Sequence, residues 1–135
     1  MELPENFTGL DKTLGVELVE ASGDRVVLAV QIRPELHQPY GIVHGGVHCS
    51  LVESAASIAG ALWFGDRGNV VGVANHTNFL RAAREGRLTA TAEPVQRGRT
   101  QQLWRVSITD ETDRAIAVGE VRLANIPDAE NLGQS

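Results

Sequence analysis

Apolar residues recur along this chain with two different periods. GVELVEA (15–21) and DRVVLAVQI (24–32) are short β-rich runs, and Ser22-Gly23-Asp24 between them predicts a hairpin turn. Pro34 and Pro39 mark an irregular connection. From about Gly45 to Trp63 the spacing becomes helical, with Val47, Leu51, Ala55, Ile58 and Leu62 forming one buried stripe. Gly65 and Gly68 bracket the loop that follows. Strand patterns then return over 70–79, 87–96, 100–109 and 114–126, and Pro94 near the end of the second predicts a bulge or an edge. In the third, Leu103, Arg105, Ser107 and Thr109 fall on one side and Trp104, Val106 and Ile108 on the other. The polar PDAENLGQS (127–135) reads as a frayed tail.

Two strands, one long helix and four strands predict an α+β arrangement: a curved antiparallel sheet of about six strands with the helix buried on its concave face. Such a sheet keeps exposed edges, and one helix cannot cover all of it, so self-association is expected. At 135 residues, 42% of them hydrophobic, the chain is long enough for one core and too short for two ordinary domains. No run of eighteen apolar residues predicts a membrane span, and the acidic MELPENFTGLDK lacks the basic start and apolar core of a signal peptide. With the single Cys49, which has no partner for an internal disulfide and no Cys pair for zinc, this points to the cytoplasm.

The net charge of −5 argues against general nucleic-acid binding. Between residues 81 and 105, however, six arginines (81, 84, 87, 97, 99 and 105) face only Glu85 and Glu93. They are either solvated surface residues or a patch suited to a small polyanion such as a phosphorylated cofactor.

From Leu36 to Gly65 there is no Asp, Lys or Arg, and the only acid is Glu53. On a helical wheel it shares its face with Gly46, Cys49, Ser50, Ser57 and Gly60, small residues that let a substrate or partner approach; Ser57 can hydrogen-bond the acid or a water beside it. The first N–H groups of the helix, at Gly45-Gly46, have no internal partners and sit at its positive end, where they can stabilise an acyl-transfer oxyanion. The plainer alternatives are a solvated acid and a tight helix start. Gly45 and Glu53 lie roughly 12 Å apart by helical rise, an awkward separation for one carbonyl to bridge within one chain. His44 and His48 are spaced i,i+4, but Gly-Gly-Val between them lacks the Glu of HExxH and no third ligand is evident, so no metal is expected. His44 instead orients the turn or touches a substrate carbonyl. Ser50, Ser54 and Ser57 lack a G-x-S-x-G elbow.

The segment HQPYGIVHGGVHCSLVESAAS (37–57) resembles the signature of hot-dog-fold acyl-CoA thioesterases of the phenylacetate-degradation (PaaI-like) group. The resemblance continues through VVGVANHTNFLRAAREGRL and RGRTQQLWRVSITDETDRAIAVGEVRLANI and covers about residues 8–126 of a single 1–135 domain. It implies that an aromatic or fatty acyl-CoA is hydrolysed to free acid and CoA. Glu53 would be nucleophile or general base and the Gly45 N–H the oxyanion donor, with His44 beside it. Gln38 would orient the carbonyl or the water, and Ser57 would lie near the leaving thiol or lytic water. It also implies that Arg81, Arg84, Arg99 and Thr100 approach CoA, with Arg97 a weaker candidate, and that no cofactor is needed because CoA is part of the substrate. In the family the carboxylate of one subunit faces the oxyanion site of another, so a homodimer with shared sites, pairing into a homotetramer, is implied. NHTNF departs from many relatives, which carry an acidic residue there; Asn75, His76 and Asn78 are candidates for shaping the acyl pocket and receive no assigned role. A non-catalytic acyl-CoA binder and an enoyl-thioester hydratase are the rival readings on the same fold.

Overall fold

The computed structural model describes residues 6–127. Apart from Pro127, the tail expected to fray lies outside them. The elements run in the order α1 (Gly9–Leu14), β1 (Glu17–Ala21), β2 (Val26–Gln31), α2 (Gly45–Phe64), β3 (Gly68–Phe79), β4 (Arg87–Arg97), β5 (Gln101–Thr109) and β6 (Ala115–Pro127). Single 3-10 turns at Pro34–Leu36 and Gly65–Arg67 flank α2. The strands form one antiparallel sheet in the order β1-β2-β4-β5-β6-β3. This is the hot-dog arrangement, a curved sheet wrapped around α2. Only α1 has no counterpart in the sequence pattern, because six residues are too few to display a helical period.

The helix is apolar because it is surrounded. It packs against β2 to β6; Val47, Leu51, Ala55 and Ile58 of the expected stripe are buried, with Val52, Ala56 and Ala59 beside them, whereas Leu62 is only half-buried. Gly45–Arg67 is long and apolar enough to cross a membrane, but more than half of its most apolar window lies inside the protein. The sheet contributes Val26, Leu28 and Val30 from β2 and Trp104, Val106 and Ile108 from β5. The alternation expected for β5 therefore holds.

Two bulges break the pleat. One lies between Pro94 and Gln96 in β4, beyond Ala92, where pairing with β2 ends, so the proline and its bulge sit where β4 is paired on one side only. The other lies between Gly72 and Ala74 in β3. Beyond it the side chains of β3 reverse faces. Gly72 is paired with inward-facing Leu123, and Asn75 and Thr77 with inward-facing Val121 and Gly119.

Gly60, placed by the wheel on an open face with Glu53, is fully covered. A Cβ there would overlap Leu123 Cδ1 and lie 2.8 Å from Gln102 Oε1. The small residue allows the helix to approach β5 and β6. Gln102 is itself buried and satisfied: it donates to Asn125 Oδ1 (2.7 Å) and to the Gly60 carbonyl (3.3 Å), and accepts from Trp104 Nε1 (2.7 Å).

Candidate active site

The histidine-glycine-glycine segment starts α2. His44 is its N-cap, and His44 Nδ1 accepts from the Gly46 N–H at 2.8 Å. That bond satisfies one of the four N–H groups the helix leaves orphaned. Each glycine also makes room. A Cβ on Gly46 would lie 2.9 Å from His44 Nδ1, and one on Gly45 would lie 2.7 Å from the tip of the Phe79 ring. The Gly45 N–H, by contrast, has no hydrogen-bond partner among the described residues. It borders a cavity of about 320 Å³ lined also by Gln38, Ile42, His48, Phe79 and Arg81. The Gln38 side-chain oxygen accepts from the Tyr40 N–H, which leaves its NH2 group to donate elsewhere. The Gln38 loop is anchored by His37 Nε2 on the Arg84 carbonyl (2.8 Å) and by the Val43 N–H on the Ala83 carbonyl (2.9 Å).

Glu53 lies in a different groove, of about 380 Å³, with Asp11, Cys49, Ser50, Ser54 and Asn75. Ser57 Oγ donates to Glu53 Oε2 at 3.3 Å, and Asn75 Nδ2 donates to Glu53 Oε1 at 3.1 Å and to the Cys49 carbonyl at 3.1 Å. Thr77 Oγ1 in turn donates to Asn75 Oδ1 at 2.8 Å. The carboxylate is therefore half-buried, aimed by two donors, and backed by a third residue. Within one chain the structure brings together Gln38 and Gly45, with His44 capping beside them, and separately Glu53 with Ser57. It does not bring the two sets into one cavity.

His48 is buried and neutral. Desolvation holds its pKa below the ordinary 6.5, and its Nδ1 lacks a hydrogen-bond partner. The unfolded chain takes up this proton near pH 6.5 and the folded one only at lower pH. The His48 contribution to stability is therefore fully present above about pH 6.5 and is lost as pH falls towards the folded value. Urea unfolding of wild type and His48→Phe at pH 7.5 and 5.5 is expected to show a larger acid-side loss for wild type. Equal losses would contradict this.

The profile of the Thioesterase superfamily matches residues 40–117. The chain belongs to the thioesterase superfamily. This thioesterase is 48% identical over 127 residues to a Mycobacterium tuberculosis protein provisionally named an esterase, with 91% of each chain covered. The solved structure of that protein superposes with a TM-score of 0.86, covering 87% of this chain and 96% of that one. A 1,4-dihydroxy-2-naphthoyl-CoA hydrolase of Listeria monocytogenes is 35% identical over 116 residues, covering 86% of this chain and 94% of that one. Two solved structures of a Staphylococcus aureus thioesterase carry single changes to alanine, one of a glutamate and one of a glutamine. Both are 27% identical, with TM-scores of 0.84 and 0.83, covering 89% and 87% of this chain and 100% and 98% of theirs.

The arginines of the thioesterase divide into two groups. Arg87 pairs with Glu17, Arg97 with Asp24 and Arg105 with Glu120. Arg97 also donates to the Gly23 carbonyl and stacks over Trp63, a structural position. Arg81, Arg84 and Arg99 have no carboxylate within ion-pair distance among the described residues. Arg81 lines the Gly45 cavity, and Arg84 Nη1 donates to the Tyr40 carbonyl at 3.4 Å. Arg99 and Thr100 form the β4–β5 turn instead. The Arg81 N–H donates to the Ile116 carbonyl, whereas the Thr100 carbonyl accepts from Asn125. Nine β6 residues, about 30 Å, separate these anchors. Arg81 and Thr100 of one chain therefore lie at opposite ends of the sheet.

Asn75 is the site residue that sequence reasoning passed over. Strict alternation from Gly72 would turn it away from the helix, and the bulge turns it inward. Gly72 was the available signal, because a glycine inside a strand marks a bulge or a close approach.

Proposed function

We propose that this thioesterase hydrolyses an aromatic or fatty acyl-CoA to the free acid and CoA, at sites built from Glu53 of one subunit and Gly45 and Gln38 of another. The observation that carries this reading is the Glu53 carboxylate held by Ser57 and Asn75 at 3.3 and 3.1 Å, in a groove apart from the cavity where the Gly45 N–H is left free. The first supplies a base or nucleophile, the second an oxyanion site. The S. aureus variants lend support, since the altered glutamine and glutamate stand fifteen positions apart, the separation of Gln38 and Glu53.

As general base, Glu53 takes a proton from water while the water oxygen bonds the thioester carbon. The carbonyl oxygen gains charge against the Gly45 N–H and the Gln38 NH2. Collapse breaks the C–S bond, and the departing CoA thiolate takes up a proton. As nucleophile, Glu53 bonds the carbon itself, the C–S bond breaks and the CoA thiolate leaves and takes up a proton, and water then hydrolyses the resulting anhydride to the free acid and the Glu53 carboxylate. Ser57 keeps the carboxylate aimed in either case, and His44 holds the helix start.

The homodimer rests on β3. It is the sheet edge opposite β1, twelve residues long, with Val71 and Val73 exposed. A long edge of this kind pairs readily with a second copy, and two dimers can then form a homotetramer. In such an assembly Arg81 and Arg84 meet the CoA bound at their own Gly45, and Arg99 and Thr100 reach it from a neighbouring subunit. CoA is part of the substrate and no cofactor enters. The protein acts as one hot-dog domain in the cytoplasm, in the PaaI-like branch that the HGG-plus-acid motif indicates.

The test is thiol release from benzoyl-, hydroxybenzoyl-, hexanoyl- and palmitoyl-CoA. At least one ester is expected to be turned over with kcat/KM above about 10⁴ M⁻¹s⁻¹. Tight binding of these esters without thiol release would favour the non-catalytic binder. Loss of enoyl absorbance without free thiol would favour the hydratase.

A further inference from the structure

We infer that Leu10 sets the length of aliphatic acyl chain this thioesterase accepts, by standing between the Glu53 groove and a second, apolar pocket. The inference rests on the shared-site reading above, which fixes the direction of the acyl chain. Arg81 lines the Gly45 cavity and meets CoA there, so that cavity takes the arm of CoA that ends in sulfur. The carbonyl oxygen sits on the Gly45 N–H and the sulfur is turned towards Arg81. The acyl carbons therefore leave on the other side, into the Glu53 groove of the adjoining subunit.

One wall of that groove comes from Thr8, Leu10 and Asp11, at the start of α1. The wall is fixed. Ser54 Oγ donates to Asp11 Oδ1 at 2.6 Å, and the Arg33 guanidinium donates to the Thr13 carbonyl and, at 2.8 Å, to the Leu14 carbonyl. Next to the groove is a pocket of about 290 Å³ whose walls include Leu14, Leu36 and Val47. Leu10 and Ser50 border both spaces, and the Leu10 side chain is 61% exposed, open to contact from a ligand.

The second pocket has little left to offer a polar group. Thr13 Oγ1 donates to the Gly9 carbonyl and Ser50 Oγ to the Gly46 carbonyl. Arg33 is taken up by the two α1 carbonyls and by Glu35 at 3.6 Å. His37 Nε2 bonds the Arg84 carbonyl, and His44 Nδ1 accepts from the Gly46 N–H. Leu10, Leu14, Leu36 and Val47 remain to face a ligand, and hydrocarbon is the chemistry they favour. A short acyl chain ends in the Glu53 groove, and a longer one needs the pocket behind Leu10.

The test compares kcat/KM for dodecanoyl-CoA and hexanoyl-CoA by thiol release. Wild type is expected to favour the shorter ester. Leu10→Ala joins the two spaces, and alanine is a good helix former at this exposed position. Each methylene newly taken out of water is worth about fourfold, so the dodecanoyl-to-hexanoyl ratio should rise at least about tenfold. Thr13→Trp, added to Leu10→Ala, places a large ring at the second pocket and should return the ratio to about the wild-type value. This reversal tells a joined pocket from a general loosening of α1, which the added ring would not undo. An unchanged ratio in Leu10→Ala would overturn the inference, as would a gain that persists in the double variant or a wild type that prefers the longer ester. Thiol release from neither ester, nor from any other acyl-CoA, would instead remove the shared-site reading and this inference with it.

Discussion

Glu53→Gln is expected to lower kcat for acyl-CoA hydrolysis about 10³-fold or more, with acyl-CoA binding largely retained. Glutamine keeps the size of the side chain, and its amide oxygen can still accept from Asn75 Nδ2, which lies 3.1 Å from the carboxylate. What it loses is the negative charge, and with it both the capacity to take a proton from water and the capacity to attack a thioester carbon. A positioned general base contributes about 10²–10⁴-fold, and loss of a nucleophile commonly more. Glu53→Ala should show the same loss of turnover, which excludes an effect peculiar to the amide. Thiol release under single-turnover conditions reports the chemistry, and calorimetry with a slowly hydrolysed ester reports binding. Near-wild-type hydrolysis by either variant would remove Glu53 from the reaction. A single turnover in oxygen-18 water separates its two roles, since label in the Glu53 carboxylate requires that an anhydride formed and was opened at the protein carbonyl.

Gly72→Ala is expected to lower kcat about 10- to 100-fold while stability changes by no more than about 1 kcal/mol. A Cβ at this position would overlap Glu53 Oε2 and lie 3.2 Å from the carboxyl carbon. The obstructed group is the free end of a flexible side chain, so it swings aside at small cost to the fold. Gly72 does not have a positive φ, so alanine brings no backbone strain, and its lower unfolded-state entropy offsets part of the cost. Once displaced, the carboxylate gives up its bonds to Ser57 and Asn75. A shift of about 1 Å in a reacting group costs about 10²-fold. The pair of measurements is kcat and the urea midpoint. Unchanged turnover would mean that the Ser57–Asn75 position of Glu53 is not the reactive one. Parallel collapse of both would mean that Gly72 acts on the fold.

Both predictions meet at the β3 bulge, where the sequence was hardest to read. Val70 to Phe79 shows a strand but no register, because inserting one residue reverses every later side chain. Asn75 and Thr77 consequently looked interchangeable with His76 and Asn78, although they alone back Glu53. The arginine excess was visible by counting. That Arg87, Arg97 and Arg105 are neutralised by Glu17, Asp24 and Glu120 was not, because those carboxylates come from β1, the hairpin turn and β6. Gly60 misled the helical wheel for a related reason: a wheel shows which residues share a face, and not whether that face meets solvent or a strand.

The sequence by itself determined the elements other than α1. The change of period from two to 3.6 and back located α2 and the six strands, because each secondary structure imposes its own spacing on whatever it buries. It also singled out Glu53 and the histidine-glycine-glycine start of α2, since a lone acid in an uncharged segment stands out without any knowledge of the fold. The tertiary structure alone decided that Asn75 joins Ser57 beside Glu53, and that Gly45 and Gln38 open onto a different cavity. It also decided that His48 is buried with a nitrogen unpaired. These are relations between residues distant in the chain, created by strand order, by one bulge and by close helix–sheet approach at glycines. No local period encodes them.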